Sequence, residues 1–320
     1  MWRRALTIMI PLVLWLGCSG DQGPTADAMT QVIVSRAAHV RQSRLYAHVE
    51  ALSSIHSRWM HYDPGTTATL DWLGETLADQ GTPAVADSFV IHRIRDIPTA
   101  NLVVTLPGQT RPNEYVLVGA HWDCQSYPES WTDSTARAAG AIDNATGVAA
   151  LVELARVLAD APLARTVQII FWAGEEIGMF GSRRVATAWR HPSAGDSLVC
   201  VVNVDMIGWD GDLRRDASLV CDTLSAPLAG AALPYAQLAA SPLLVDSLNR
   251  GTGSWGVSSD HLQFWYYALP AIWLHEGIAD AYPFANHAAD SLPDLQPDYL
   301  ADATRALVGT VMALAEPITP

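Results

Sequence analysis

Three apolar, β-branched runs in the middle of the chain are each followed within a few residues by acidic residues or histidine. The runs are residues 115–120, 167–172 and 198–204. The polar residues that follow them are His121 and Asp123, Glu175 and Glu176, and Asp205. Short apolar runs of this composition are typical of buried strands. The pattern therefore predicts three strands that each carry potential ligands at the carboxyl end.

A helical pattern fills the gap between the first two runs. Apolar side chains recur over residues 145–159 at the spacing of one helix face, Asn144 or Thr146 is the candidate cap, and Asp143 directly precedes the helix. In a strand, helix, strand unit with parallel strands, both strands end at the same edge of the sheet. Open α/β sheets bind ligands at that edge. We expect the functional site there.

The remaining pattern extends this unit in both directions. We expect helices over residues 32–55, 67–80, 182–189, 243–249 and 299–314, and strands over residues 85–91, 102–106 and 271–274. Half of the 320 residues are hydrophobic, which is enough for one large core. The prediction is an α/β protein with a single three-layer α/β/α domain over residues 32–318. Its central sheet is mixed and mostly parallel, with a metal site at the strand carboxyl ends.

The charge of the chain narrows the range of functions. Its 19 basic residues are all arginine and face 33 acidic residues, which gives a formal net charge of −14. The absence of lysine excludes a P-loop lysine and a Schiff-base lysine. An acidic surface also argues against nucleic acid as a partner.

The first residues have the pattern of an export signal. Two arginines precede an apolar run that is too short to span a membrane and remain there, so residues 1–18 are predicted to be a signal. Gly17 before Cys18 resembles a bacterial lipoprotein signal, and ordinary secretion with cleavage nearby is the alternative. On the first interpretation, a lipid on Cys18 attaches the protein to a membrane of the cell envelope. Residues 19–31 are then a flexible tether.

Three further cysteines bear on the same question. In an exported protein, Cys200 and Cys221 are candidates for a disulfide, with Cys124 left free beside the site. The chain has no Cys-x-x-Cys spacing, so we do not expect the cysteines to be metal ligands.

The polar residues that follow the strands have the composition of a metal site, and His287 and Asp290 extend the set. Imidazole and carboxylate ligands without thiolates suit zinc and, less selectively, cobalt or manganese. Asp123 follows His121 by two residues, and Asp290 follows His287 by three. Each acid is therefore a candidate acceptor for the second ring N–H of its histidine.

The order of the motifs HWD, DNATG, EE, NVDMIG, SDH and NHAAD resembles the zinc aminopeptidases of peptidase family M28. The resemblance runs from about Arg58 to Leu314. It implies a hydrolase that removes the first residue from peptides with a free amino terminus, using two Zn²⁺ ions per chain or other divalent metals. The implied ligands are His121 and Asp205 for one ion, Glu176 and His287 for the other, and Asp143 as the bridge.

The same resemblance implies roles for other motif residues. Glu175 is the implied general base, which activates a water shared by the two ions, and Asp123 is the second catalytic candidate. Asp260 in the SDH motif is the implied support of the ligands. The family often has Tyr before the last histidine, where it stabilises the oxyanion, and this chain has Asn286. Either Tyr282 or the amide of Asn286 is the candidate replacement.

Several other classes of protein share some of these features. A glutaminyl cyclase of the same fold, with one zinc ion, is the main alternative, and the DNATG motif at Asp143, with His121 and Asp205 both intact, favours the two-metal hydrolase. A lipoprotein that only binds peptides predicts broken ligands. The M20 metallopeptidases need a lid domain between the last two ligands, for which the segment from Asp205 to His287 is too short. A serine hydrolase lacks its G-x-S-x-G motif here.

Overall fold

The computed structural model describes residues 26–250, 258–277 and 282–318, in which eight strands form one sheet. The strands are β1 (Val85–His92), β2 (Asp96–Leu106), β3 (Arg111–His121), β4 (Arg165–Trp172), β5 (Ser197–Val204), β6 (Asp216–Cys221), β7 (Leu244–Asn249) and β8 (Ala271–Glu276). The helices are α1 (Ala26–Ala37), α2 (Gln42–Ser54), α3 (Asp63–Asp79), α4 (Glu129–Thr132), α5 (Thr146–Leu158), α6 (Phe180–Trp189), α7 (Ala226–Ala240), α8 (His261–Trp265) and α9 (Pro297–Ala315).

The centre of the sheet is parallel. The strand order is β1-β2-β4-β3-β5-β8-β6-β7. Strands β4, β3, β5 and β8 are parallel neighbours, whereas β2 pairs antiparallel with β4 and β6 pairs antiparallel with β8. The carboxyl ends of β3, β4 and β5 therefore meet at one edge, and the predicted mixed sheet is confirmed.

Helices cover both faces of this sheet. Successive side chains of a strand point to opposite faces, so Val118 of β3 joins the larger apolar core and Leu117 joins the smaller one. Helices α5, α7 and α9 contribute to the larger core, and Ala186 of α6 and Phe264 of α8 contribute to the smaller one. The predicted three-layer α/β/α architecture is confirmed. No described helix is both long and apolar enough to cross a membrane.

The helix predicted over residues 32–55 is in fact two helices, α1 and α2. At the break, the backbone N–H of Arg41 donates to Glu153 at 2.8 Å, and the Arg156 guanidinium donates to the carbonyl of His39 at 2.6 Å. Both partners belong to α5. Because these tertiary contacts satisfy the backbone groups that the break exposes, the helix ends there without a glycine or proline.

The helix predicted over residues 243–249 is wrong, because Leu244–Asn249 is the strand β7. It pairs parallel with β6, and Val245 points into the core. A short apolar run does not separate strand from helix, so the partner strand decides. Neither β6 nor α7 is among the predicted elements. Gly230 and Pro234 lie inside α7 and weaken its helical signal.

Of the amino-terminal predictions, only the tether overlaps the described residues. The predicted signal over residues 1–18, with Cys18, lies outside the described residues. Helix α1 begins at Ala26. The tether predicted over residues 19–31 is therefore too long at its carboxyl end.

The three described cysteines, Cys124, Cys200 and Cys221, are buried and free. The candidate disulfide between Cys200 and Cys221 is thus not formed. The thiol of Cys221 instead lies 4.0 Å from the Ser247 hydroxyl on the neighbouring strand β7.

Candidate metal centre

Four of the predicted ligands meet at the carboxyl edge of the sheet. His121 ends β3, and its Nε2 lies 3.3 Å from Oδ1 of Asp143 and 3.3 Å from Oδ1 of Asp205. Ligand atoms of His121, Asp143 and Glu176 all lie within 4.8 Å of one another. His121 and Asp143 are common to both groupings. The cluster therefore joins polar residues from the end of β3, from the loops after β4 and β5, and from the loop before α5.

A buried carboxylate, Asp290, fixes the backbone that carries Asp143. Its Oδ1 accepts from the N–H of Ile142 at 2.8 Å, and its Oδ2 accepts from the N–H of Asp143 at 2.9 Å. The sequence predicts instead that Asp290 accepts a ring N–H from His287. That prediction is wrong in this structure, because both oxygens are engaged by the loop before α5.

Asn144 connects the same loop to the end of β5. Its Nδ2 donates to the carbonyl of Val204 at 2.9 Å, and its Oδ1 accepts from the N–H of Gly147 at 3.0 Å. A Cβ on Gly147 would lie 2.4 Å from Oδ1 of Asn144. The glycine of the DNATG motif is therefore required by a close approach that sets Asp143 relative to Asp205.

Asp123 fixes the loop after β4 in the same way. Its carboxylate accepts from the backbone N–H groups of Gly174, Glu175 and Glu176 at 3.0, 3.1 and 3.2 Å. The prediction that it accepts the ring N–H of His121 is wrong. Nδ1 of His121 lies 3.9 Å from that carboxylate and 3.1 Å from the Asp123 backbone carbonyl. Asp123 thus positions both glutamates.

Arg58 joins two of these loops, and sequence reasoning did not identify it. The side chain is 0% exposed, and its guanidinium donates to the carbonyls of Trp122 at 2.9 Å and Gly140 at 2.8 Å. It also contacts the carbonyls of Leu52 and Ala139. No motif marks this arginine, because its partners are backbone carbonyls far along the chain.

Burial shifts the pKa values in the cluster. It raises the pKa of Glu175 and of Glu176 well above the usual carboxyl range, and neighbouring carboxylates add to the effect. Burial also raises the pKa of Asp260, at the start of α8, to about 7. At His121 burial opposes the charge, but Asp205 and Asp143 outweigh it and raise the pKa of the ring. The cluster therefore has an excess of buried negative charge.

One atom in the cluster favours a bound cation directly. Oε2 of Glu176 accepts from Nε2 of Gln125 at 2.7 Å, whereas Oε1 of Glu176 is buried with no hydrogen-bond partner. An unpaired buried carboxylate oxygen is costly unless a cation coordinates it. The donors are imidazole and carboxylate, which suit zinc. The described residues therefore fit a divalent metal ion.

His287 is the predicted ligand that the structure does not bring to the cluster. Its side chain is exposed, and its backbone N–H donates to the carbonyl of Phe284 at 3.0 Å. The preceding residue, Asn286, lines the cavity instead. The hydroxyl of Tyr282 donates to Asp294 at 2.6 Å, so it is not free to serve as an oxyanion donor.

The cluster opens into a cavity of about 460 Å³. Glu175, Glu176 and Asp205 line it, and Met206, Trp273 and His275 form part of its wall. Neither Gln125 nor His275 was identified from the sequence. His275 lies at the end of β8, beside β5 in the sheet. The signal that marked the other strand ends, a polar residue after an apolar run, was also present there.

Residues 101–311, more than half of the chain, match the sequence profile of peptidase family M28. The chain belongs to peptidase family M28. This match confirms the family that the motifs resemble. Zinc is the metal named for relatives of the chain.

Two relatives illustrate the range of similarity. A probable zinc metalloprotease of Pyrenophora tritici-repentis is 36% identical over 107 residues, which are 33% of this chain and 24% of that protein. The M28 chain thus spans about a quarter of that relative's length. A probable leucine aminopeptidase of Trichophyton verrucosum is 24% identical over 299 residues, covering 91% of this chain and 78% of that protein.

Solved structures share the fold of this M28 chain. LapA aminopeptidase of Legionella pneumophila superimposes with a TM-score of 0.73 at 19% identity, covering 94% of this chain and 78% of LapA. A glutaminyl cyclase of Fimbriiglobus ruber superimposes with a TM-score of 0.70 at 20% identity, covering 86% of this chain and 95% of the cyclase. These similarities establish the α/β fold.

Proposed function

We propose that this M28 chain is a zinc aminopeptidase that holds two Zn²⁺ ions and releases the first residue of peptides with a free amino terminus. The observation that carries the proposal is the convergence of His121, Asp143 and Glu176 within 4.8 Å. Asp205 lies beside the same histidine, and Glu175 lines the cavity next to them. The leucine aminopeptidase of Trichophyton verrucosum, similar over 91% of the chain, supports the substrate class.

The residues divide between two ions in this proposal. His121 and Asp205 would hold one ion, Glu176 and His287 the other, and Asp143 would bridge them. When bound, the ions would polarise the substrate carbonyl and lower the pKa of the attacking water. His287 is assigned from the family resemblance, since its side chain is exposed in the structure.

Glu175 is the general base in this mechanism. It takes a proton from the attacking water as the oxygen bonds to the scissile carbonyl carbon. It then gives that proton to the leaving amine as the C–N bond breaks. Its backbone is held by Asp123, and its neighbour Glu176 is held by Gln125, so the two carboxylates have separate supports. Proton transfer by a positioned side chain typically contributes about 10²–10⁴-fold in rate.

A glutaminyl-peptide cyclotransferase with a single zinc is the alternative. Two observations favour it: the similarity to the cyclase covers 95% of that chain, and His287 lies apart from the other ligands. A cyclase releases ammonia from an amino-terminal glutamine and leaves the peptide bond intact. An aminopeptidase cleaves the bond and needs the free amine.

The deciding experiment uses the purified chain loaded with zinc. A panel of amino-acid anilides, their acetylated forms and a glutaminyl peptide are incubated with it, and the products are weighed by mass spectrometry. We expect release of aniline only from free-amine substrates, and two zinc ions per chain by metal analysis. Cleavage of acetylated substrates at equal rates, or ammonia release with one zinc ion, would contradict the proposal.

We also propose that the protein is exported and attached to the cell envelope through a lipid on Cys18. The support is the short apolar run between two arginines and Gly17. Mass spectrometry of the mature amino terminus tests this proposal. A lipid-modified Cys18 is expected, and an unmodified terminus beyond Cys18 would indicate ordinary secretion.

A further inference from the structure

A chain of side-chain hydrogen bonds runs from the surface to the cavity wall. Nε1 of Trp131 donates to Oε1 of Gln125, and Nε2 of Gln125 donates to Glu176 at 2.7 Å and to Oδ1 of Asn286. Gln125 thereby uses both of its N–H groups and its carbonyl. The ring of Trp131 rests against Trp59, with centroids 5.1 Å apart.

The donors in this chain fix the orientation of two amides. An indole N–H can only donate, so Gln125 must turn its carbonyl oxygen toward Trp131. The Gln125 NH₂ group then faces the cavity side, where it too can only donate. Asn286 must therefore accept this hydrogen bond through its side-chain oxygen. The orientation of Asn286 therefore follows from the chemistry of the partners, not from the assignment of its amide atoms.

The consequence is a free N–H donor at the cavity. With Oδ1 of Asn286 turned to Gln125, its Nδ2 lies on the opposite side of the amide group, and no described residue accepts a hydrogen bond from it. Asn286 lines the cavity together with Glu175 and Glu176.

The backbone of Asn286 is fixed as well. Its carbonyl accepts from the N–H of Tyr127 at 2.7 Å, so the loop is attached to the segment that carries Gln125. Its φ of +63° is left-handed, a conformation that asparagine tolerates better than tyrosine. The tyrosine nearest in sequence, Tyr282, is engaged with Asp294.

We infer that Asn286 donates its Nδ2–H to the oxyanion of the tetrahedral intermediate, and that Trp131 and Gln125 are positioning residues that hold its amide in the donating orientation. The inference rests on the proposed hydrolase function. It gives the chain an oxyanion donor of its own, whose orientation depends on a tryptophan that is not among the residues lining the cavity.

The first test distinguishes loss of the Asn286 N–H donor from a general disruption of the structure. Asn286→Asp keeps an oxygen for Gln125 and removes the N–H, and Asn286→Ala removes both. Each variant should lose at least about a hundredfold in kcat with little change in KM, as expected when one oxyanion donor is removed. Zinc content should match the unmodified protein. Tyr282→Phe should lose less than either. Full kcat in both Asn286 variants would overturn the inference.

The second test isolates the role of Trp131. Trp131→Phe keeps the ring against Trp59 and removes the N–H, so Gln125 is free to reverse its amide. We expect a fall in kcat of about tenfold, and no further fall when Trp131→Phe is added to Asn286→Ala, because coupled residues are not additive. Trp189→Phe, on the remote helix α6, is the matched control. Equal losses in both backgrounds would show that Trp131 is merely structural.

Assays of the wild-type protein distinguish a failure of this inference from a failure of the proposed function. If it releases no residue from free-amine substrates, the proposed function fails, and the inference is then judged by binding. The probe is an aminophosphonic acid, whose tetrahedral anion mimics the intermediate, compared with the corresponding amino-acid amide. Asn286→Ala should weaken the phosphonate at least about tenfold more than the amide. Equal weakening of both would overturn the inference.

Discussion

Glu175 and Glu176 are adjacent in sequence but have different surroundings. Only Glu176 shares a group of ligand atoms with His121 and Asp143, and one of its oxygens is buried without a partner. Adjacent side chains after a strand diverge, so in the proposed mechanism Glu176 would hold a metal ion and Glu175 would face the attacking water. The two roles are therefore separable by mutation.

Glu175→Gln preserves the shape of the side chain and removes the base. We expect turnover of a leucine anilide to fall at least about a hundredfold, with zinc content and KM nearly unchanged. Glu176→Gln should instead lose zinc. Steady-state kinetics with metal analysis of both variants checks this. Zinc loss in Glu175→Gln with an active Glu176→Gln would mean that the roles are exchanged.

His48, on helix α2, is expected to make the stability of the protein depend on pH. Its ring packs edge-on against Trp72, and its Nε2 is buried without a partner. Burial, assisted by Arg44, lowers the pKa of His48 to about 4. As the pH falls, His48 is therefore protonated near pH 6.5 in the unfolded chain but only near pH 4 in the folded chain.

The contribution of a neutral His48 is thus complete above pH 6.5 and is lost as the pH falls toward 4. We expect His48→Gln, which does not titrate, to become more stable relative to the wild type by about 1–2 kcal/mol between pH 7.5 and 4.5, after allowance for partial exposure. Urea unfolding of both proteins at the two pH values measures this. A constant difference between them would contradict the assignment.

At the scale of elements, two buried acids fix the loops that carry the candidate ligands by accepting hydrogen bonds from their backbone N–H groups. Asp290 holds the N–H groups before α5, and Asp123 holds those after β4. Neither carboxylate is exposed by more than 1%. The parallel strands bring the loops to one edge, and these acids then fix the loops within it.

Asp290→Asn should therefore weaken metal binding without touching a ligand. The new NH₂ group faces a backbone N–H, so one hydrogen bond is lost and a donor meets a donor. We expect zinc affinity to fall about 10–100-fold, the usual effect of losing such a support. Competition with a fluorescent chelator measures it. Asp298→Asn, on the exposed first turn of α9, is the control and should leave zinc affinity unchanged.

The elements that sequence reasoning predicts well are those with long, local patterns. Helix α5 and strands β3, β4 and β5 follow from apolar spacing alone. The break between α1 and α2 depends on Glu153 and Arg156, which are more than a hundred residues away. Strand β7 depends on its pairing with β6. Information of that kind is absent from a local window.

In the candidate site, too, features set by local sequence are predicted and features set by distant contacts are not. Four of the candidate ligands lie close together, as the sequence predicts, because each follows or precedes a regular element. The partners of Asp123 and Asp290 were not, because sequence spacing suggested a nearby ring where backbone N–H groups are the actual donors. Arg58 binds carbonyls and has no motif. Positioning contacts of this type emerge only from the fold.

At the scale of the whole molecule, the buried carboxylates of the cluster are expected to destabilise the folded state unless a metal ion binds them. Buried carboxylates with raised pKa values lie around the imidazole of His121. A chelator should therefore lower the Tm by at least about 5 °C, because a ligand at a thousandfold excess over its Kd contributes about 4 kcal/mol. Differential scanning calorimetry with and without chelator measures the shift. Added zinc should restore the Tm, and an unchanged Tm would contradict the metal centre.

Helix α9 lies inside the larger core although it follows every other described helix and strand along the chain. It packs on α7, α1, α2 and α5, and Val308, Val311 and Met312 are fully buried. On the ribosome, the surfaces that receive α9 are all made before α9 itself emerges. A nascent chain thus displays a broad apolar groove until translation has passed residue 315. The larger core can therefore close only after residue 315 has been made, and until then its apolar side chains are exposed to chaperones.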